Sequence, residues 1–320
     1  MRKGCRFFLL LFSISIAISS GAQVIKVTLL GTGVPLPSID RFGPATLVEV
    51  NNHFFLFDCG RGASQRLWQQ KIGLGKINHL FLTHLHSDHT VGIADLWLTG
   101  LLPTGFGNRS QPLQVWGPSG TDDMVKGLKA AYQWDVRTRN AENKTADSIS
   151  LLVSHTITEG IVFDQDGIRI TAFLVDHSDL IDTAFGYRVD YGGHSVVLSG
   201  DTRYSENLIK HAKGADVLIH EVALVKEEQL QASATARRIL GYHTSPEEAG
   251  TVFSLTNPRL AVYSHIATPL INPAIPPPTT KDILLRTKKT YNGPLEVGED
   301  LMTIEISDTI AIKRFEKSNR

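Results

Sequence analysis

The sequence predicts an α/β fold with strands inside and helices covering them. Short runs rich in β-branched and aromatic residues recur along the chain, stretches with helical spacing alternate with them, and Gly- and Pro-rich turns separate the two. With 320 residues, 42% hydrophobic and 20% charged, the composition is that of an ordinary globular protein. One domain from about Gln23 to the end accommodates the pattern.

Strands are expected at 24–30, 45–50, 54–57, 79–82, 168–175, 195–198, 217–219, 260–263 and 301–306. Helical spacing follows Thr121, a candidate N-cap, through Met124, Val125, Leu128 and Tyr132. A helix over 203–212 closes at Gly214. Ser245-Pro246-Glu247-Glu248 reads as a capping box with proline in the first turn, and a last helix spans 280–288. Segments 102–112 and 272–278 read as loops, and the polar stretch 135–148 as a surface excursion.

The N-terminus is set apart. Arg2, Lys3 and Arg6 precede an apolar run over 7–18, and Ser20-Gly21-Ala22 supplies small residues before Gln23. This is the three-part pattern of a secretory signal peptide, so 1–22 is expected to be removed and 23–320 to form the domain. Export to the periplasm or outside the cell follows, with no membrane attachment after cleavage. Formal charge is zero over the chain, and loss of the three basic residues leaves −3. No basic stripe of the kind long nucleic acids require stands out. Only Cys59 remains after cleavage, so an internal disulfide is excluded.

The chemistry concentrates in Thr83-His84-Leu85-His86-Ser87-Asp88-His89. Three histidines and a carboxylate follow directly on an apolar strand. Imidazole and carboxylate are the ligands zinc and related divalent ions accept, and packing gives no reason to place them together. His177, Asp201 and His265 each stand just past an expected strand end, where ligands gather in open α/β sheets.

With Gly31-Thr32-Gly33, Phe57-Asp58-Cys59-Gly60, Gly117-Pro118-Ser119-Gly120, Gly186-Tyr187-Arg188, Gly200-Asp201-Thr202, His220-Glu221, His243-Thr244 and Ser264-His265, the chain resembles the metallo-β-lactamase superfamily. Within it, the match is to the ribonuclease Z and arylsulfatase-like branch. The resemblance implies a four-layer αββα sandwich of the metallo-β-lactamase type with the site at one edge. It implies that His84, His86 and His177 hold one metal ion, that Asp88, His89 and His265 hold a second, and that Asp201 bridges them. Zinc is the default ion for such ligands, with manganese and iron as alternatives. A dizinc lactamase carries cysteine at the place of Asp201, which argues against β-lactam hydrolysis.

Two cations sharing a water lower its pKa, supply hydroxide near neutral pH, and neutralise charge developing on the ester. Asp88 can accept the nucleophile's proton. The resemblance further implies that His243, oriented by Glu221, is the general acid; a carboxylate partner would favour the protonated imidazole that this role requires. No Gly-x-Ser-x-Gly nucleophile is present. Asp58 is expected to support a ligand and Cys59 to pack. Trp97, Trp116 and Trp134 are expected in the core or on the surface rather than in a substrate pocket.

A ribonuclease Z carries a long tRNA-gripping excursion between the positions matched by His177 and Asp201; here they lie 24 positions apart. The expected substrate is therefore a small ester, a phosphodiester first and an aryl or alkyl sulfate second. A lactone or carboxyl ester, or a non-catalytic binding role on the same fold, stands behind these. Nucleic acid beyond short oligonucleotides is not expected as a partner. A homodimer is common in this branch.

Overall fold

The computed structural model describes residues 24–316; the expected signal peptide and its cleavage point lie outside the described residues. Two mixed sheets face each other. The first runs, edge to edge, Ile310–Lys313, Met302–Ile306, Ile25–Gly31, Ala45–Val50, His53–Phe57, His79–Phe81, Leu113–Gly117, Leu152–Thr156. The second runs Leu295–Val297, Leu260–Ala267, Val217–Ala223, His194–Leu198, Ala184–Tyr191, Ile168–Val175, Gly160–Gln165.

Period-two alternation sorts the side chains between layers. Ile25, Val27 and Leu29 pack between the sheets with Phe55, Phe57 and Phe81 of the first and Tyr187, Val196 and Val262 of the second. Leu30, Leu47, Leu56 and Leu80 take the other face of the first sheet, against Leu67 of the helix Ala63–Gln69 and Leu96 of the helix Ile93–Gly100. On the outer face of the second sheet, Leu218, Ala261 and Tyr263 meet Leu208, Phe253 and Ile283 from three further helices. The result is the expected order of helix, sheet, sheet, helix. Each such buried side chain contributes about 1.5–3 kcal/mol, so the three apolar layers hold the fold without a disulfide; Cys59 is free and buried.

Four neighbouring strands in each sheet run parallel, from His53–Phe57 to Leu152–Thr156 and from His194–Leu198 to Leu295–Val297. Asp58 and His84 follow such strand ends in the first sheet, and Asp201 follows one in the second. Two strands run further than expected. Val217–Ala223 includes His220 and Glu221, and Leu260–Ala267 includes His265. Between them the register slips: His220 pairs with Tyr263 and Val222 with Ile266, so one residue faces two. Such a bulge turns side chains out of the regular alternation, and His265 sits in it with a left-handed φ of 43°.

The polar segment expected as an irregular excursion is a helix over Gln133–Asn143 with no buried residue. An Asp135–Arg139 pair spans one of its turns at 2.8 Å. Only Val136 of this helix leans on the core, too little apolar surface for a helical period to be read. Trp97 is buried, Trp116 stacks between Phe81 and His155, and Trp134 is exposed.

His79 gives a test of the inter-sheet layer. It packs among Phe55, Trp116 and Phe163, and its Nδ1 is buried with no partner among the described residues. Burial, then the charges of His53 and His155, lowers its pKa to about 4. The unfolded chain takes up this proton near pH 6.5 and the folded chain does not. Stability therefore falls as pH drops from about 6.5 toward 4, by about 2 kcal/mol between pH 7 and 5 from this group. Urea unfolding of His79→Phe at both pH values should show a correspondingly smaller loss; an equal loss would remove His79 as the cause.

Candidate metal centre

The motif loop places its donors by a change of backbone. His84 and His86 lie on extended chain after the strand His79–Phe81. His86 is the N-cap of the single helical turn Ser87–Thr90, which carries Asp88 and His89. The loop is anchored from beneath. Asp58, in left-handed conformation with φ 59°, accepts the Thr83 N–H at 2.9 Å and pairs with His89 Nδ1 at 2.7 Å. Gly92 N–H donates to the Cys59 carbonyl and Phe185 N–H to the Thr83 carbonyl, so both sheets hold the loop. Opposite, Gly200 turns the chain at φ 60°, where a Cβ would fall 2.5 Å from the Phe185 carbonyl oxygen. Only glycine fits that close approach, and Asp201 follows it into the centre.

All seven sequence-predicted donors converge. One group is His84, His86 and His177, and another is Asp88, His89 and His265; within each, the donor atoms lie inside 4.8 Å of one another. His86 Nδ1 stands 2.9 Å from His84 Nε2 and 3.4 Å from His177 Nε2. In the second group, Asp88 Oδ2 lies 3.5 Å from His89 Nε2 and 3.4 Å from His265 Nε2. Asp201 Oδ2 stands 3.4 Å from His89 Nε2, 3.2 Å from His265 Nε2, 4.0 Å from His84 Nε2 and 3.9 Å from His177 Nε2. Four donors about 2.0–2.1 Å from a tetrahedral ion stand roughly 3.3 Å apart, which is the spacing of the second group with Asp201.

The donor chemistry fits divalent metal. His89 Nε2 and Asp201 Oδ1 are buried without a partner among the described residues. The outer nitrogens are mostly engaged, His84 Nδ1 with Thr83 Oγ1, His89 Nδ1 with Asp58 and His177 Nδ1 with the Tyr242 carbonyl. That is the arrangement by which ligating histidines are oriented. Burial lowers the pKa of His84, His86 and His177, favouring the neutral ring whose lone pair a metal needs. Burial also opposes charge on His89, yet Asp201 and Asp58 raise its pKa well above the ordinary value. The same pull acts on a cation, so proton and metal compete for that place. Asp58→Ala should weaken metal retention about ten- to a hundredfold, measurable by competition with a chromogenic chelator; unchanged retention would leave Asp58 a purely structural residue.

The two residues expected to handle the proton stand beside the donors. Glu221 Oε1 accepts His243 Nδ1–H at 2.9 Å and the Thr202 N–H at 3.0 Å. Burial alone would lower the His243 pKa, but the Glu221 carboxylate outweighs it and leaves it raised to about 9. Burial pushes the Cys59 thiol far up, in keeping with a packing role.

A cleft of about 840 Å3 opens on His84, His86 and His177. Its other walls are the loop over 178–183, the turn over 118–120, Arg203, Arg238 and Tyr242. Sequence reading singled out the turn but none of the rest, because lone arginines and a short loop carry no pattern. Arg203 bonds Asp179 at 2.9 Å and reaches Asp176 at 3.5 Å. Among the described residues no carboxylate pairs with Arg238. No residue of 135–148 lines the cleft.

Comparison with known proteins bears on this arrangement. Residues 53–266 match the family described as Beta-lactamase superfamily domain. The ribonuclease Z of Mycobacterium sp. (strain KMS) is 34% identical over 290 residues, covering 91% of this chain and 99% of that protein. The ribonuclease Z of Mycolicibacterium gilvum is 32% identical over 292 residues, with the same coverage. Among solved structures, human tRNase Z, short form, matches with a TM-score of 0.60 at 24% identity, over 87% of this chain and 98% of that one. The metallo-beta-lactamase fold protein YhfI from Bacillus subtilis matches with a TM-score of 0.67 at 16% identity, over 88% and 100%. At these identities the two structures speak for the fold.

Proposed function

The chain belongs to the β-lactamase superfamily and, within it, to the ribonuclease Z family, and we propose that it is an exported, two-metal hydrolase of small phosphodiesters. Metal-dependent hydrolysis of esters is the activity its family and fold support. The observation that carries the two-metal reading is the convergence of both donor groups on the single oxygen Asp201 Oδ2. His84, His86 and His177 would hold one ion, Asp88, His89 and His265 the other, and Asp201 both. Zinc suits these donors best. Ions held there would supply Lewis acidity, making a water nucleophilic near neutral pH and screening charge that develops on the ester.

The chain's own residues supply the rest. Asp88, its pKa held down by the His265 contact against the effect of burial, is a carboxylate able to take the nucleophile's proton. His243, kept cationic by Glu221, delivers a proton to the departing oxygen. Thr202 N–H and His243 share Glu221 Oε1, so the carboxylate cannot rotate without losing both.

The relatives' name denotes an enzyme acting on RNA, which conflicts in part with the small-substrate expectation from sequence. The cleft favours the small substrate. Arg203 is paired with acids and Asp182 lines the wall, leaving Arg238 as its one unpaired cation among the described residues. A track for polynucleotide needs many phosphate contacts. A sulfate monoester is the second reading, since one guanidinium suits a monoanion. The basic–apolar–small pattern at 2–22 supports export, where precursor tRNA is absent.

The test is hydrolysis by zinc- or manganese-loaded protein beginning at Gln23. The panel holds bis(p-nitrophenyl) phosphate, p-nitrophenyl sulfate, a lactone and an end-labelled precursor RNA. Fastest turnover of the phosphodiester is expected. Faster cleavage of the RNA would overturn the small-substrate reading, and no turnover with two ions bound would point to a binding protein.

A further inference from the structure

We propose that His220 is a positioning residue that holds Glu221, and through it His243, against the centre; the inference rests on His243 being the proton donor. Glu221 has lost its strand partners on both sides. Pairing with the strand His194–Leu198 ends at Ile219, and the bulge against Leu260–Ala267 skips from His220 to Val222. An unpaired buried peptide group is costly, and here side chains take up both of its polar atoms. The Glu221 N–H donates to Ser199 Oγ at 3.0 Å, and its carbonyl accepts Nδ1–H of His220 at 2.6 Å. Burial keeps the His220 ring neutral, so it carries one proton, and the short contact to a carbonyl oxygen places that proton on Nδ1.

The ring is itself fixed from outside the sheet. It is fully buried and meets Phe253 edge-on at 5.8 Å. Phe253 belongs to the helix Pro246–Thr256, whose capping residue Ser245 stands two positions after His243. One helix therefore sets both ends of the Glu221–His243 couple. It fixes the histidine through the chain entering its N-terminus, and the glutamate through Phe253 and His220. A residue that only filled space there would not need a donor at Nδ1.

The experiment compares two phosphodiesters that differ only in leaving group, p-nitrophenol against an aliphatic alcohol, using the zinc-loaded protein from Gln23. A nitrophenolate departs without a proton, and an alkoxide needs one. For His220→Leu we expect kcat on the alkyl ester to fall about ten- to a hundredfold, with the nitrophenyl rate, KM and zinc content unchanged. His220→Asn, whose amide can donate to the same carbonyl, should restore most of the loss. Ser199→Ala, which frees the N–H, should shift the same ratio. Equal losses on both esters, loss of zinc, or an unchanged ratio in His220→Leu would overturn the proposal. Should His220→Leu not fold, Ser199→Ala and His220→Asn decide: an unaltered ratio in the first, or an alkyl-specific loss in the second, counts against it. His243→Ala without any leaving-group dependence would instead sink the proton-donor reading and the role of His220 with it, an outcome distinct from a leaving-group effect in His243→Ala that His220→Leu fails to reproduce.

Discussion

Asp201→Ala is expected to empty both halves of the centre at once. Its Oδ2 lies within 4.0 Å of ring nitrogens from four histidines, two from each donor group. Among the described residues, no other carboxylate lies within 4.0 Å of histidines from both groups. Asp88 Oδ2 is within reach of His89 and His265 only, so it serves one group. Without Asp201 the imidazoles face one another with less negative charge to offset two dications. Bound zinc, read by atomic absorption after dialysis, should drop well below one per chain. Hydrolysis of a chromogenic phosphodiester should fall roughly a thousandfold or more. His86→Ala should differ, depleting the first group while Asp88, His89 and His265 remain. If Asp201→Ala keeps two ions at parental affinity, the shared-oxygen architecture is wrong.

His243→Ala carries the second-largest effect, and the effect depends on the substrate. Loss of a positioned acid should cost on the order of 10²–10⁴ in kcat for an aliphatic leaving group and little for nitrophenolate. The pH profile adds a sign check. The acid form is the active one, and its pKa is raised to about 9, mainly by Glu221 working against burial. Cations at the centre would pull that value down. Turnover of the poor substrate should therefore hold through neutral pH and fall on a limb at or below pH 9, a limb missing for nitrophenyl esters. Identical profiles for both substrates would rule out His243 as donor.

The candidate metal donors of the 84–89 loop were legible because packing supplies no competing reason for three histidines and an aspartate there. His177 and Asp201 were legible as residues just beyond apolar strands. His265 was found for a reason the structure revises: it sits inside a strand, at a bulge, and no pattern in one sequence announces an extra residue in a ladder. Glu221 and His243 came from resemblance; their 2.9 Å bond joins residues 22 positions apart, which spacing alone does not bring together. Six of the described strands went unread, among them Leu113–Gly117, for its glutamine and tryptophan, and Ala184–Tyr191, for its Gly186 and its polar end. The helix Gln133–Asn143 was hidden because its apolar residues do not sustain a repeat at helical spacing, Val136 alone leaning on the core. The cleft's arginines were invisible, since what matters there is which guanidinium already has a carboxylate, and only the folded chain settles that.

The slip between Val217–Ala223 and Leu260–Ala267 sets stability against activity at one position. The extra residue costs regular pairing and leaves His265 in a conformation that side chains other than glycine resist, at roughly 1–3 kcal/mol. Deleting Ser264 would let the ladder close, relieve that strain, and carry His265 out of line with Asp88 and Asp201. The expected product melts at the parental temperature or above it and hydrolyses nothing. A screen for thermostable descendants of this enzyme would then enrich inactive ones at this bulge, so selection here must be made on turnover rather than on melting.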